Sequence, residues 1–270
     1  MPLLRRSLTI FLLLVCSIAG RANAAVTTNF SDQWWNPNES GWGASVLQQW
    51  DTLFIDLFVY GTDNKPTWFV AAAVLQTTSP AGHLVFTGDL YATNGPYFGI
   101  AFNPAAVSAR KVGTLTFDAT GVSTATLTYI VDGTQVVKAV TRQTWRYENL
   151  SGSYYGGVIS DRTGCSNPAN NGHSETPATF QITHAADNSI AILVQVGVAS
   201  CTITGTYSQS GHMGQITNGR GPCGDGGSGE SVAAGELELT VNGFSGRFVA
   251  VGDPGGDQCT TSGRFGGIRR

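Results

Sequence analysis

Apolar and polar residues alternate along much of the chain with the period of two that is typical of β-strands. Ala125, Leu127 and Tyr129 fall on one face of such a segment, and threonines occupy the other face. Asp132-Gly133 follows directly and is a two-residue sequence of the kind that joins antiparallel strands. The pattern therefore predicts a β-hairpin whose apolar face is turned toward a core.

The C-terminal half has the same alternation, and no segment of useful length has the periodicity of a helix. Leu237, Leu239 and Val241 are expected to face inward before a turn at Asn242-Gly243. The composition agrees, because glycine is abundant and threonine, valine, serine and aromatic residues fill the runs between turns. The chain is therefore predicted to be all-β.

Two short segments resemble each other and divide the chain. NFSDQWW, at 29–35, and NLSGSYY, at 149–155, share an asparagine, an apolar residue, a serine and a final aromatic pair. A true repeat and a chance match are both open. We expect two successive antiparallel β-meanders, over residues 25–147 and 148–270, each of about 120 residues and so of ordinary domain size. Closure of each meander into a small barrel would remove its unpaired edges.

The first 24 residues have the three parts of a secretory signal peptide. Arg5 and Arg6 precede an apolar run at 8–18, and Ala22-Asn23-Ala24 is a small-x-small cleavage site. We expect cleavage near Ala24 and a secreted or periplasmic protein. The run is shorter than the ~20 apolar residues of a transmembrane helix. No later stretch reaches that length, so no transmembrane span is predicted.

The charge balance disfavours one class of partner. The chain has 15 lysines and arginines against 18 aspartates and glutamates, a formal net charge of −3, and no basic stripe. Nucleic-acid binding needs a cationic face. We therefore expect no nucleic-acid partner.

All cysteines beyond the signal peptide lie in the C-terminal half: Cys165, Cys201, Cys223 and Cys259. An even number in an exported protein predicts two disulfides. The alternative is a structural zinc site, but the chain lacks a Cys-x-x-Cys pair, so neither a metal nor a cofactor is expected. Cys201 and Cys223 lie at the ends of a predicted hairpin. Cys165 and Cys259 lie beside the first and last strands, which meet if the meander closes. We predict Cys201–Cys223 and Cys165–Cys259.

The segment WWNPNESGWG has both a structural and a functional interpretation. In the structural one, a tryptophan closes a barrel end and Glu39 caps a turn, since an indole is first of all a large apolar surface. In the functional one, Trp34 and Trp42 stack on a sugar or another flat ligand. Successive strand residues face opposite sides, so Trp34 and Trp35 do not line the same pocket if the chain is extended.

Asp56 is the most conspicuous single residue. It lies between Phe54 and Phe58 in LFIDLFVY, a strand that is apolar on both faces. A carboxylate there is costly unless it is paired or at a wet pocket wall. We expect Asp56 in a partly buried, aromatic-lined concavity near Phe58 and Trp68, where it would orient a ligand. The alternatives are an ion pair with an arginine or a position at an exposed rim.

The same region resembles a recurrent module of exported bacterial proteins. The shared pattern is WWxPxxSGxG, an apolar strand, and then YxxxxxPxW. Its positions here are Trp34, Trp35, Pro37, Ser40, Gly41, Gly43, Tyr60, Pro66 and Trp68. The resemblance extends over about 34–141 and implies export and a β fold, without an activity. The chain is more loosely similar to lipocalin- and avidin-like barrels.

Three functional hypotheses follow. The first is an exported, non-catalytic binding or interaction protein for a glycan or an amphipathic small molecule, with Trp34, Trp42, Asp56, Phe58 and Trp68 as ligand-binding residues. The second is a small secreted, glycan-directed hydrolase that uses Asp56 and Glu39 as paired carboxylates. The third is a structural component of the envelope or an adhesin. The first is preferred because the aromatic-rich N-terminal half has no visible nucleophile or histidine arrangement.

Overall fold

The structure is a computed structural model that describes residues 28–79, 81–221, 230–252 and 257–270. Its first half forms a closed barrel of eight antiparallel strands. In chain order these are β1 (Asp32–Trp35), β2 (Gly43–Gln49), β3 (Thr52–Tyr60), β4 (Pro66–Thr78), β5 (Leu84–Asn94), β6 (Ser108–Ala119), β7 (Thr124–Val131) and β8 (Thr134–Arg142). Each strand pairs with the next, and β1 pairs with β8 to close the barrel.

The second half forms another closed barrel of eight antiparallel strands. These are β9 (Gly152–Thr163), β10 (Gly172–His184), β11 (Ser189–Val196), β12 (Ala199–Ser210), β13 (Met213–Gly221), β14 (Glu230–Leu239), β15 (Gly243–Gly252) and β16 (Cys259–Arg269). β9 pairs with both β10 and β16. The predicted all-β fold with two successive meanders, each closed as a barrel, is confirmed.

Helical structure is limited to two single 3₁₀ turns in the described ranges, Pro104–Ala106 and Pro168–Asn170. Neither is long and apolar enough to cross a membrane. The predicted signal peptide, residues 1–24, lies outside the described residues.

Asp132 and Gly133 form the predicted two-residue turn between β7 and β8. Their φ angles are 48° and 85°, the backbone of a type I′ turn. Glycine adopts that region without steric cost. Ala125, Leu127 and Tyr129 are buried, so the predicted inward face of this hairpin is confirmed.

The inward face of β14 is shorter than the alternation predicts. Leu237 is buried, but β14 ends at Leu239. Val241 is almost fully exposed in the turn before β15, so the expectation that it faces the core is wrong. The turn begins before the alternation in the sequence ends, because the Thr240 amide and hydroxyl both donate to the carbonyl oxygen of Gly243.

The two barrels are closed at one end by equivalent pairs of residues. In the first barrel, Trp34 of β1 is opposite Arg142 of β8, and its indole Nε1 donates to the carbonyl oxygen of Phe30 at 3.0 Å. The guanidinium of Arg142 lies 4.9 Å from the indole centroid. We call Phe30, Trp34 and Arg142 the first plug.

In the second barrel, Tyr154 of β9 is opposite Arg269 of β16, and its hydroxyl donates to the carbonyl oxygen of Leu150 at 2.8 Å. Arg269 lies 5.3 Å from the Tyr154 ring centroid and donates to its hydroxyl. We call Leu150, Tyr154 and Arg269 the second plug. The match between NFSDQWW and NLSGSYY therefore corresponds to equivalent positions in two like barrels.

A disulfide joins Cys165 and Cys259 with a Cα–Cα distance of 4.2 Å. Cys165 follows β9 and Cys259 begins β16, so the prediction that barrel closure brings them together is confirmed. Cys201 begins the inward face of β12, but its predicted partner, Cys223, lies outside the described residues.

The barrels contact each other through a polar cluster at Asp32. One carboxylate oxygen of Asp32 lies 3.2 Å from Arg142 Nη1 and 2.8 Å from His212 Nδ1, and it accepts from the His212 amide at 3.0 Å. Burial acts to raise the pKa of Asp32, but the hydrogen bonds of His212 and the charge of Arg142 outweigh it, so the pKa is lowered. Asp32 is therefore an ionised link between the two halves.

Candidate functional site

The tryptophans of WWNPNESGWG occupy different parts of the first barrel. Trp34 is fully buried in the first plug, where its ring packs edge-on against Phe117 at 4.9 Å. This placement matches the structural interpretation. Trp42 is partly buried, and its Nε1 donates to Glu39 at 3.1 Å. Trp34 and Trp42 therefore do not form one stacking platform.

Glu39 is paired with a cation. Its carboxylate lies 2.6 Å from Lys138 Nζ, and the same ammonium group is 5.7 Å from the Trp42 ring centroid. The hydrogen bond from Lys138 is the main reason that the pKa of Glu39 is lowered. A general acid needs a raised pKa, so of the two roles in a carboxylate pair Glu39 is poorly suited to that of the acid.

Asp56, Phe58 and Trp68 lie on the outer wall of the first barrel. Leu53, Ile55 and Leu57 of β3 are fully buried, so the residues between them point outward. Phe58 is opposite Trp68 in the β3–β4 ladder, and their exposures are 42% and 55%. The three predicted residues are thus neighbours, but on an outer sheet surface and not in the expected concavity.

Asp56 is half-buried on that outer wall, opposite Ser45 and Val70. Glu39 lies beside Lys138, which shares the inward side of β8 with Val140 and Arg142. The wall of the barrel therefore separates the two carboxylates of the hydrolase hypothesis, and they do not face one cleft.

The interior of the first barrel is filled by aromatic side chains. Phe30, Phe86 and Phe117 form an edge-to-face cluster with centroid distances of 5.8, 5.9 and 6.5 Å. Ala71 and Ala73 face this cluster and are buried. The barrel interior beside these two alanines is therefore occupied.

The second barrel contains an internal cavity of about 300 Å³. The closed end of the barrel is filled by Tyr154, Phe180 and Phe244, whose rings pack edge-to-face at 4.8 and 5.3 Å. The cavity lies beyond Phe180, toward the end of the barrel where β9 finishes and β10 begins. We call this space the lumen. Its lining residues are Val158, Ser160, Arg162, Thr176, Phe180, Ile192, Val194, Val196, Cys201, Ile203, Ile216, Val232, Ala234, Phe248, Ala250, Thr261 and Phe265.

The lumen is open because small and β-branched side chains replace the aromatic ones of the first barrel. Ala234 and Phe248 are opposite each other in the β14–β15 ladder, and Val232 is opposite Ala250. Each of these pairs includes an alanine, which leaves volume at the barrel axis. Volumes from about 300 Å³ upward are typical of small-molecule sites.

The polar part of the lumen lies near its mouth. Ser160 and Arg162 are on β9, Thr176 is on β10 and Thr261 is on β16. Arg162 and Thr261 are paired in the β9–β16 ladder. The described lining of the lumen therefore combines an apolar interior with a few hydroxyl groups and one cation.

The Cys165–Cys259 disulfide fixes the loop beside this mouth. The buried carboxylate of Asp257 accepts from the amide of Asn167 at 2.9 Å and from Asn170 Nδ2 at 2.7 Å. The hydrogen bond from Asn170 makes the largest contribution to the lowered pKa of Asp257. The loop at 165–171 is thus held to the start of β16.

Among the described residues, one group of potential metal ligands lies close together: Cys165, Asp257 and Cys259, with ligand atoms within 4.8 Å of one another. The two sulfurs are joined in the disulfide and so offer no thiolate. The arrangement serves to hold the loop and not to bind a metal.

Sequence reasoning missed the lumen residues. The candidate residues were chosen for their aromatic rings, and in the structure these rings fill the core of the first barrel or lie on its outer wall. The signal for the lumen in the sequence is the run of small residues in SVAAGELEL, where Val232 and Ala234 fall on the inward face.

No protein family and no curated protein matches this chain. The chemistry of the lumen and of the outer wall therefore carries the functional argument.

Proposed function

We propose that this is a binding protein whose second barrel holds a small apolar or amphipathic molecule. The observation that carries the proposal is the lumen, a cavity of about 300 Å³ with apolar walls and a polar mouth. Burial of apolar ligand surface is worth roughly 25 cal/mol per Å² before the costs of association. A few polar groups at the mouth would fix the orientation of the ligand.

The signal-peptide pattern of residues 1–24 supports an exported protein, secreted or periplasmic. An exported carrier of this kind would keep a poorly soluble molecule out of water. The lumen offers few hydrogen-bonding groups, so it suits an amphipathic molecule better than a glycan.

The test uses the mature protein and an uncharged apolar fluorophore, N-phenyl-naphthylamine. Ala250→Phe places a ring inside the lumen and is expected to weaken binding of the fluorophore about tenfold or more, since each 1.4 kcal/mol is a factor of ten. Val249→Phe is the matched control, because Val249 is the neighbouring residue on β15 and is exposed on the outer face. Both variants are checked for an unchanged thermal midpoint.

Equal weakening in both variants, or no binding by the wild-type protein, would contradict the proposal. Trp68→Ala is a second control, and it should leave binding of the fluorophore unchanged. Trp68 lies on the outer wall of the other barrel.

A second candidate function is glycan binding on the outer wall of the first barrel. The observation that favours it is the exposed cross-strand pair of Phe58 and Trp68, with the Asp56 carboxylate two residues from Phe58. Flat aromatic faces beside a hydrogen-bonding group suit a sugar ring. In a glycan binding screen, Trp68→Ala should abolish retention, while Trp145→Ala, at a 74% exposed tryptophan of the linker, should not.

A further inference from the structure

Among the described residues that line the lumen, Arg162 is the one that carries a charge. It lies on β9 beside the mouth and is paired with Gly172 on one side and with Thr261 on the other. The described part of the lining includes no carboxylate. Arg162 is therefore the charge that this part of the lining presents at the mouth.

The Arg162 side chain makes no hydrogen bond or ion pair with any residue in the described ranges. Its neighbour Asp161 points to the opposite face of the strand and is engaged by His173 at 2.8 Å. Arg110, Arg142 and Arg269 all have partners. Arg162 thus differs from these arginines in offering its donors to a ligand.

A ligand that filled the lumen would cover part of Arg162 and remove water from it. Covering a charged group is costly unless an opposite charge or hydrogen-bond acceptors replace the water. The planar guanidinium presents parallel N–H donors that match an acidic head group such as a carboxylate. The hydroxyls of Thr176 and Thr261 lie on the two strands that flank β9 and would supply further donors.

On this basis the structure assigns a ligand class: a single-chain amphiphile with one anionic head group, bound by Arg162 at the mouth, and an alkyl tail in the lumen. This inference rests on the proposed function, because it specifies the molecule that the lumen holds. A volume of about 300 Å³, near the lower end of small-molecule sites, fits one alkyl chain of medium length.

The test is displacement of N-phenyl-naphthylamine by three amphiphiles with the same tail. These are dodecanoate, dodecanol and dodecyl-trimethylammonium. Dodecanoate should displace the fluorophore about ten times better than dodecanol, a factor expected of a charge-assisted hydrogen bond. The ammonium compound should be the weakest of the three.

Two variants locate the head group. Arg162→Gln should remove the preference, so that dodecanoate and dodecanol displace the fluorophore about equally well. Arg220→Gln is the matched control, since Arg220 lies at the same end of the barrel but outside the lining, exposed between the buried Gly219 and Gly221 of β13. It should keep the preference.

The outcomes separate this inference from the proposed function. If the fluorophore binds the lumen and dodecanoate and dodecanol compete equally, the head-group assignment is overturned and the lumen remains a binding site. A preference for dodecanoate that survives Arg162→Gln would overturn the assignment as well. If neither the fluorophore nor any amphiphile binds, the proposed function itself fails.

Discussion

At the scale of single residues, Arg142 and Arg269 occupy equivalent places and are held differently. The Arg142 side chain is 0% exposed, and it donates to the carbonyl oxygens of Asn29, Ser31 and Val122 in addition to its ion pair with Asp32. Arg269 is exposed, with a side-chain hydrogen bond to the Tyr154 hydroxyl. The first plug is therefore a buried polar network, while the second is nearer to a surface contact.

This difference predicts unequal effects of the same substitution. Arg142→Met should lower the free energy of unfolding by about 3–5 kcal/mol, because it leaves Asp32 with His212 as its remaining partner and removes the donor of three carbonyl groups. Arg269→Met should cost about 1 kcal/mol, the net value of an ordinary hydrogen bond. Urea denaturation of the two variants measures both values. Equal losses of unfolding free energy in the two variants would contradict the prediction that burial makes Arg142 more important for stability than Arg269.

The burial of Tyr207 leads us to expect a loss of stability at alkaline pH. It is 5% exposed, and burial, with a smaller effect of the Glu148 charge, raises its pKa to about 12 from the ordinary value of 10.0. The folded protein thus keeps the phenol proton that the unfolded chain releases. The resulting stabilisation is fully present below pH 10 and is lost as the pH rises through about 12.

The Tyr207→Phe variant should lack this pH-dependent stabilisation, which amounts to roughly 2–3 kcal/mol for two pKa units. Its free energy of unfolding should decline less than that of the wild-type protein between pH 10 and 12. The tyrosinate absorbance should also lose a step near pH 12. An unchanged absorbance step near pH 12 would show that Tyr207 does not titrate there.

At the scale of elements, the sequence predicts strands and turns well and predicts their orientation less well. The β7–β8 hairpin has apolar residues on one face only, so Leu127 is readily placed inside. In β3 both faces are apolar, and the alternation does not distinguish Ile55, which is buried, from Phe54, which is exposed. Asp56 was therefore expected at a pocket, although its face is the outer wall.

The lumen was not predictable from any one strand. Whether a barrel interior is filled depends on side chains that several strands send to the same axis. Phe86 and Phe117, on adjacent strands, fill the first barrel, while Ala234 and Ala250 leave the second one open. Such a difference depends on register, which follows from closure and not from local periodicity.

The closure of β9 against β16 gives a prediction for the disulfide. Replacing Cys165 and Cys259 together with alanine should destabilise the second barrel by about 2–5 kcal/mol, since the bond closes a long loop in the unfolded chain. The residues are 94 positions apart. The thermal midpoint measures this effect. Because the strands of the β9–β16 ladder remain, N-phenyl-naphthylamine should still bind below that midpoint.

An unchanged midpoint would mean that the ladder alone fixes the mouth. Loss of fluorophore binding at a temperature where the variant is folded would show instead that the 165–171 loop forms part of the site.

At the scale of the whole molecule, two barrels of the same topology have different interiors. Both are closed at one end by an aromatic residue paired with an arginine of the last strand. The first is packed throughout with aromatic side chains and presents its remaining aromatic residues on the outside. The second keeps an apolar lumen with Arg162 at the mouth. In the proposed function, the second barrel binds the ligand and the first is a support or a separate surface.

The most direct test of this account is the position of a bound ligand in a crystal. The mature protein would be crystallised with an uncharged alkyl alcohol that carries bromine at the end of its tail, bromododecanol. An anomalous bromine peak is expected inside the second barrel, near Phe180, Ile192 and Ile216. A peak on the outer wall of the first barrel beside Trp68, or no peak at all with a saturating ligand, would contradict it.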